Sequence, residues 1–128
     1  MKIFNRGDLW RDFTYIDDIA EGVVKVLEKP PSAITKDNWE IDPPHKIYNI
    51  GNSSPVRLTD FIETIEEALG KNAVKEFHEM QPGDVYKTYA DVGELQKDFG
   101  YSPDTPLKVG IKKFVDWYLD YHKKQAGL

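Results

Sequence analysis

The segment Gly7-Asp8-Leu9-Trp10-Arg11-Asp12-Phe13-Thr14-Tyr15-Ile16-Asp17-Asp18 places an arginine just ahead of a run with helical periodicity. A guanidinium there is planar and always charged, and it can present two parallel N–H groups to a phosphate or a carboxylate. The same Arg11 side chain can equally be taken up by Asp12, Asp17 or another nearby carboxylate. A second segment, Tyr48-Asn49-Ile50-Gly51-Asn52-Ser53-Ser54-Pro55-Val56-Arg57-Leu58, runs from apolar residues into small polar ones and then into a helix. Ligands of open α/β sheets meet the chain where strands end and helices begin, because unpaired amides there attract anions. A turn of this composition can also be no more than a turn. In the third segment, Met80-Gln81-Pro82-Gly83-Asp84-Val85, Asp84 can accept hydrogen bonds from a sugar diol or close an Asx turn. Asp91 reads better as a helix cap, and Phe114, Trp117, Tyr118 and Tyr121 as packing on a terminal helix.

The elements that must position these residues follow from spacing. Residues 2–5 read as a strand ended by Arg6-Gly7-Asp8. Ile16, Ile19, Ala20, Val23, Val26 and Leu27 recur at helical spacing and predict an amphipathic helix over about 15–29, with Thr14 and Asp17 as a capping box. Pro30 and Pro31 stop it, and the stretch to Lys46 has no period, so a long surface loop is expected. Residues 47–50 resemble a buried strand. Thr59 is expected to cap a helix carrying Phe61, Ile62, Ile65, Ala68 and Leu69, ended by Gly70. Residues 74–80 are weakly extended, and 81–84 form a turn. Asp91 and Glu94 predict a short capped helix with Leu95 and Phe99 inward, closed by Gly100. A last helix has Thr105 as cap, Pro106 in its first turn, and Leu107, Ile111, Phe114, Val115, Tyr118 and Tyr121 on one face.

This alternation is α/β, with so few strands that the sheet looks incomplete. The 128 residues suit one domain, 1–128. Seventeen Lys and Arg against 22 Asp and Glu give a net charge of −5, the wrong sign for binding nucleic acid through its phosphates. No apolar run reaches the ~20 residues that cross a bilayer, and a signal peptide is not evident, so a cytoplasmic protein without membrane contact is expected. The sequence has no Cys, and His45, His78 and His122 are too scattered for a ligand cluster, so no metal is expected.

The strings FNRGDLWRDFTYIDDIAEGV, YNIGNSSPVRLTDFI, MQPGDVYKTYADV and LKVGIKKFVDWY, in this order, carry a resemblance that covers nearly the whole chain. It resembles the C-terminal portion of the extended short-chain dehydrogenase/reductase superfamily, specifically NAD-dependent nucleotide-sugar epimerases of the UDP-glucuronate 4-epimerase type. The resemblance implies a partial Rossmann-type α/β fold, namely its C-terminal substrate-binding part. It implies that Arg11 contacts the UDP pyrophosphate and Asp84 the nucleotide ribose. Gln81 falls where galactose-type epimerases carry a second pyrophosphate-binding Arg, so that contact is weakened or replaced.

The family's chemistry uses a Gly-rich turn for the NAD pyrophosphate and a Tyr four residues before a Lys as base. No two of the nine Gly lie two or three residues apart, and none of the seven Tyr has Lys at plus four. The N-terminal dinucleotide-binding domain is therefore expected to be absent, with no catalytic residue and no cofactor in this chain, NAD belonging to the full-length family. Two functions follow as expectations. One is a fragment that binds a UDP-sugar weakly, at about millimolar affinity, since two polar contacts hardly offset the cost of immobilising a ligand. The other is a non-catalytic interaction module, a homodimer or larger oligomer formed through exposed sheet edges. Completion by a separately encoded cofactor half is a third route.

Overall fold

Asn5 and Arg6 both take left-handed backbone angles, with φ of 46° and 51°. They turn the chain after two residues of β1 (Lys2–Ile3), so the rest of the expected 2–5 strand is a 3-10 turn at Phe4–Gly7. The computed structural model describes residues 1–30, 34–35, 41–42 and 45–125. Along them follow β2 (Trp10–Arg11), α1 (Ile16–Glu28), β3 (Ile34–Thr35), β4 (Ile41–Asp42), β5 (Val56–Arg57), α2 (Leu58–Leu69), β6 (Glu76–Phe77), α3 (Gly93–Phe99) and α4 (Leu107–Gln125). The fold is α/β with a small, incomplete sheet. Three separate strand pairs make it up: β1 parallel to β6, β2 antiparallel to β5, and β3 antiparallel to β4. The last pair corrects the expectation of a plain loop between the first helix and Lys46. Its other residues, 31–33, 36–40 and 43–44, lie outside the described ones.

Residues 47–50 form no strand, because no neighbouring strand offers them a ladder and Ile47 is exposed. Side chains hold this segment instead. Asn49 Nδ2 donates to the carbonyl of Asp91 at 3.1 Å, and the Tyr48 hydroxyl donates to Asp98 Oδ2 at 2.7 Å. Lys46 pairs with the same Asp98 carboxylate and with Glu94 at 2.6 Å, and Tyr48 meets the Phe99 ring edge-on. Lys46 and Tyr48 hold the Asp98 carboxyl below its ordinary pKa, and Lys75 with the Ala73 amide does the same to Glu66. Both carboxyls have a lower pKa folded than unfolded, so their contribution is complete above the ordinary carboxylate range, about pH 4, and is lost as pH falls through their folded pKa values. Urea midpoints should therefore be level near neutral pH and decline in acid. The Asp98→Asn variant should show a shallower acid decline.

The core is Ile3, Leu9, Ile62, Val92, Leu95, Ile111 and Val115. Ile62 of α2 and Ile111 and Val115 of α4 lie on two helices packed on each other, and Phe13 stacks on Phe61 with ring centroids 3.8 Å apart. Gly70 and Gly100 end α2 and α3 in the left-handed conformation, as read from the sequence. The expected caps differ. Thr14 Oγ1 accepts the Asn52 amide at 3.2 Å rather than capping α1. Thr59 lies inside α2, where its hydroxyl donates to Asp60. Asp91 does serve the start of α3, accepting the Gly93 amide at 2.9 Å.

The largest departure is the orientation of α1. An amphipathic helix ordinarily buries its apolar stripe. Here Asp18 and Gly22 face inward, while Ile16 and Leu27 are 65% and 78% exposed. The buried polar face is fully bonded. Asp18 accepts the Thr105 amide at 3.2 Å and its hydroxyl at 2.7 Å, satisfying the chain just before α4, and the Tyr101 hydroxyl donates to the Asp18 carbonyl at 2.8 Å. Gly22 admits Ile50 and Tyr101 so closely that an added Cβ would lie 3.1 and 3.3 Å from them. Of the residues expected on one face of α4, Ile111 and Val115 are buried, whereas Phe114 and Tyr118 stay exposed.

Candidate functional site

β2 is the axis on which the site is built. Its two residues pair with β5 on one side, and on the other Trp10 N–H donates to the Tyr86 carbonyl at 2.9 Å while Thr88 N–H donates to the Trp10 carbonyl at 3.1 Å. The second and third polar segments thus flank the first, although they lie far apart in sequence.

Asp12, directly after β2, fixes that arrangement. Its Oδ2 accepts the amides of Ser53 at 3.0 Å and Ala90 at 3.1 Å, and its Oδ1 accepts the Ser54 amide at 3.2 Å. The Asp12 amide itself donates to Thr88 Oγ1 at 3.0 Å. Ser53, at φ 52°, donates its hydroxyl to the Ala90 carbonyl at 2.7 Å. One carboxylate therefore ties two loops to the end of β2 through backbone groups that would otherwise need water. The sequence suggested Asp12 only as a partner for Arg11. What could have found it is its place as the first acceptor past a strand, opposite turns rich in Ser and Gly.

Arg11 and Asp84 meet, 73 residues apart in sequence. Arg11 Nη2 donates to Asp84 Oδ1 at 2.8 Å, with the side chains 22% and 30% exposed. Arg11 Nη1 donates to the carbonyls of Trp10 at 2.8 Å and Tyr86 at 3.3 Å, so the guanidinium is held by its own strand and its neighbour. Asp84 Oδ1 also accepts the Val85 amide at 2.8 Å. The partner of Arg11 is thus neither Asp12 nor Asp17. Gln81 opens the same turn, its carbonyl accepting the Asp84 amide at 3.2 Å, and Gly83 takes the positive φ of 84° that the turn needs. The Tyr86 hydroxyl, beyond the turn, donates to Asp8 at 2.7 Å, and this bond raises its pKa. An anchored cation, a carboxylate acceptor and an amide side chain on one turn suit a ligand that offers an anion and hydroxyls close together.

No dinucleotide cradle accompanies them among the described residues. β5 passes straight into α2 without a glycine, and a Cβ on Gly51 would lie 2.3 Å from Ala90 Cβ, which leaves no room there for a pyrophosphate. The described residues likewise hold no group of His, Asp or Glu able to bind a metal, and no helix long and apolar enough to cross a membrane.

Residues 1–51 match the family described as "NAD dependent epimerase/dehydratase family". Over 131 residues the sequence is 48% identical to protein CapI of Staphylococcus aureus, covering 97% of this chain and 39% of that protein. The chain is similar to part of the proteins of that family. It is also 41% identical over 120 residues to UDP-glucuronate 4-epimerase 1 of Arabidopsis thaliana, covering 92% of this chain and 28% of that one. Its fold matches the UDP-glucuronic acid 4-epimerase of Bacillus cereus, solved in complex with UDP-glucuronic acid and NAD. That match has a TM-score of 0.68 at 35% identity and covers 87% of this chain and 32% of the other. The chain thus spans well under half the length of the relatives it matches.

Proposed function

We propose that residues 1–128 form a nucleotide-sugar-binding domain of the UDP-glucuronate 4-epimerase type, in a cytoplasmic protein. It binds UDP-sugar weakly and does not epimerise it alone. The observation that supports this reading is the Arg11–Asp84 pair, a guanidinium braced by two backbone carbonyls beside a carboxylate on a tight turn. A pyrophosphate draws Arg11 from Asp84 by offering more charge than the single Nη2–Oδ1 bond supplies, and the released carboxylate accepts from the ribose hydroxyls of the same nucleotide. Gln81, on that turn, donates to the phosphate oxygens as a neutral group. Breaking the internal pair offsets part of the gain, which keeps affinity near about 1 mM, or about −4 kcal/mol.

Isothermal calorimetry with UDP-glucuronate tests this. Wild-type chain should bind with about millimolar affinity, and Arg11→Ala should lose measurable binding with an unchanged circular dichroism spectrum. Equal binding by wild type and Arg11→Ala, micromolar affinity, or saturable NAD binding would each overturn the proposal. A second reading, a non-catalytic homo-oligomeric module, is favoured by the apolar stripe that α1 leaves exposed.

A further inference from the structure

Trp10 of β2 has a register partner on each side, Arg57 of β5 and Lys87 of the segment that follows the 81–84 turn. Cross-strand partners share a face of a sheet, and residues adjacent along a strand point to opposite faces. Arg57, Trp10 and Lys87 therefore form a row across β5, β2 and the segment beside it, on the face away from Arg11. Arg57 and Lys87 are exposed, and Trp10 between them is half-buried. The Lys87 ammonium stands over the Trp10 ring, 5.9 Å from its centroid. From the other side, the charge of Arg57 acts on the phenol of Tyr86, the residue before Lys87, and opposes the rise in its pKa.

Neither cation is spent within the chain. Arg11 pairs with Asp84 and Arg6 with Glu79, but among the described residues Arg57 and Lys87 have no carboxylate within ion-pairing distance. Asp8, whose carboxylate accepts the Tyr86 hydroxyl, pairs with neither. Two unpaired positive charges on either side of one indole match a phosphate monoester, which carries about −1.5 to −2 charges near pH 7, better than a carboxylate with its single charge. The guanidinium and the ammonium supply donors to the phosphate oxygens, and the indole supplies a flat apolar surface to a ring that the ester carries.

We propose that Arg57, Lys87 and Trp10 form a binding site for a small phosphate monoester that carries a flat ring, the two cations clamping the phosphate and the indole taking the ring. The site goes beyond the nucleotide-sugar reading and is separate from it, because Arg11 lies on the other face of β2.

Phenyl phosphate and inorganic phosphate are the probes, titrated into isotopically labelled chain while nuclear magnetic resonance follows the Trp10 indole N–H signal, identified by its loss in Trp10→Phe. Phenyl phosphate should shift this signal saturably, with a Kd of about 1 mM, and inorganic phosphate should bind about fivefold more weakly for want of a ring to stack. The affinity should fall as salt rises, since salt screens exposed charges. Arg57→Ala and Lys87→Ala should each weaken phenyl phosphate about tenfold, the loss of one hydrogen bond to a charged group, with unchanged circular dichroism because both side chains are exposed. A wild-type signal that does not saturate overturns the proposal, as does equal affinity in wild type, Arg57→Ala and Lys87→Ala. Equal affinity for the two probes would remove Trp10 from the site and overturn the assignment of a ring-bearing ligand. Loss of the shift in Arg11→Ala would put the phosphate on the opposite face and overturn it as well. Arg57→Ala and Lys87→Ala should leave UDP-glucuronate binding unchanged, so the two proposals fail separately.

Discussion

Replacing Asp12 by Ala is expected to destabilise the chain by about 3 kcal/mol, because it strips the acceptor from three backbone amides at once, each bond being worth roughly 1 kcal/mol. The amides of Ser53, Ser54 and Ala90 belong to two loops beside β2, so their loss also loosens these loops against the strand that carries Arg11. Asp12→Asn keeps one acceptor oxygen but turns an NH2 group toward an amide donor, so it should fall between wild type and Asp12→Ala. Urea denaturation followed by tryptophan fluorescence measures the loss. A midpoint for Asp12→Ala within error of wild type would show that water replaces the carboxylate at no cost.

Gly51→Ala is expected to cost about as much, roughly 3 kcal/mol, for a steric reason. The new methyl would stand 2.3 Å from Ala90 Cβ, far inside contact distance, and 3.3 Å from Asp12 Oδ2. Ala90 cannot step aside, since its amide is bound to Asp12 and its carbonyl to the Ser53 hydroxyl. The double variant Gly51→Ala with Ala90→Gly removes the clash and should recover much of the loss. Failure of that rescue would locate the cost in the backbone at Gly51 and not in the approach to Ala90.

Much of this arrangement can be read from the sequence where local chemistry decides it. α2 and α3 end at Gly70 and Gly100 because only glycine takes the left-handed angle there readily, and the 81–84 turn needs Gly83 for the same reason. What cannot be read locally is which long-range partner each polar group takes. Arg11 finds Asp84, not the aspartates beside it, because the Trp10–Lys87 bridge brings residues 84–86 alongside β2. Thr14 gives up its cap to bind Asn52, and Asp18, placed by its sequence at a helix start, is spent on Thr105. The residues at 47–50 have the composition of a strand but no ladder to join. α1 shows the same limit at the scale of a helix: its periodicity fixes an apolar stripe and says nothing about which side of the helix the chain will cover.

Binding without turnover is the claim on which the functional reading depends. Incubating the purified chain with UDP-glucuronate and NAD, and separating the sugar nucleotides by anion-exchange chromatography, tests it most directly. UDP-galacturonate should not rise above the level of a protein-free control at any chain concentration. Its appearance in proportion to the chain added would contradict the reading, because turnover would require a proton-abstracting group and a nicotinamide site, and the proposal assigns neither to these residues.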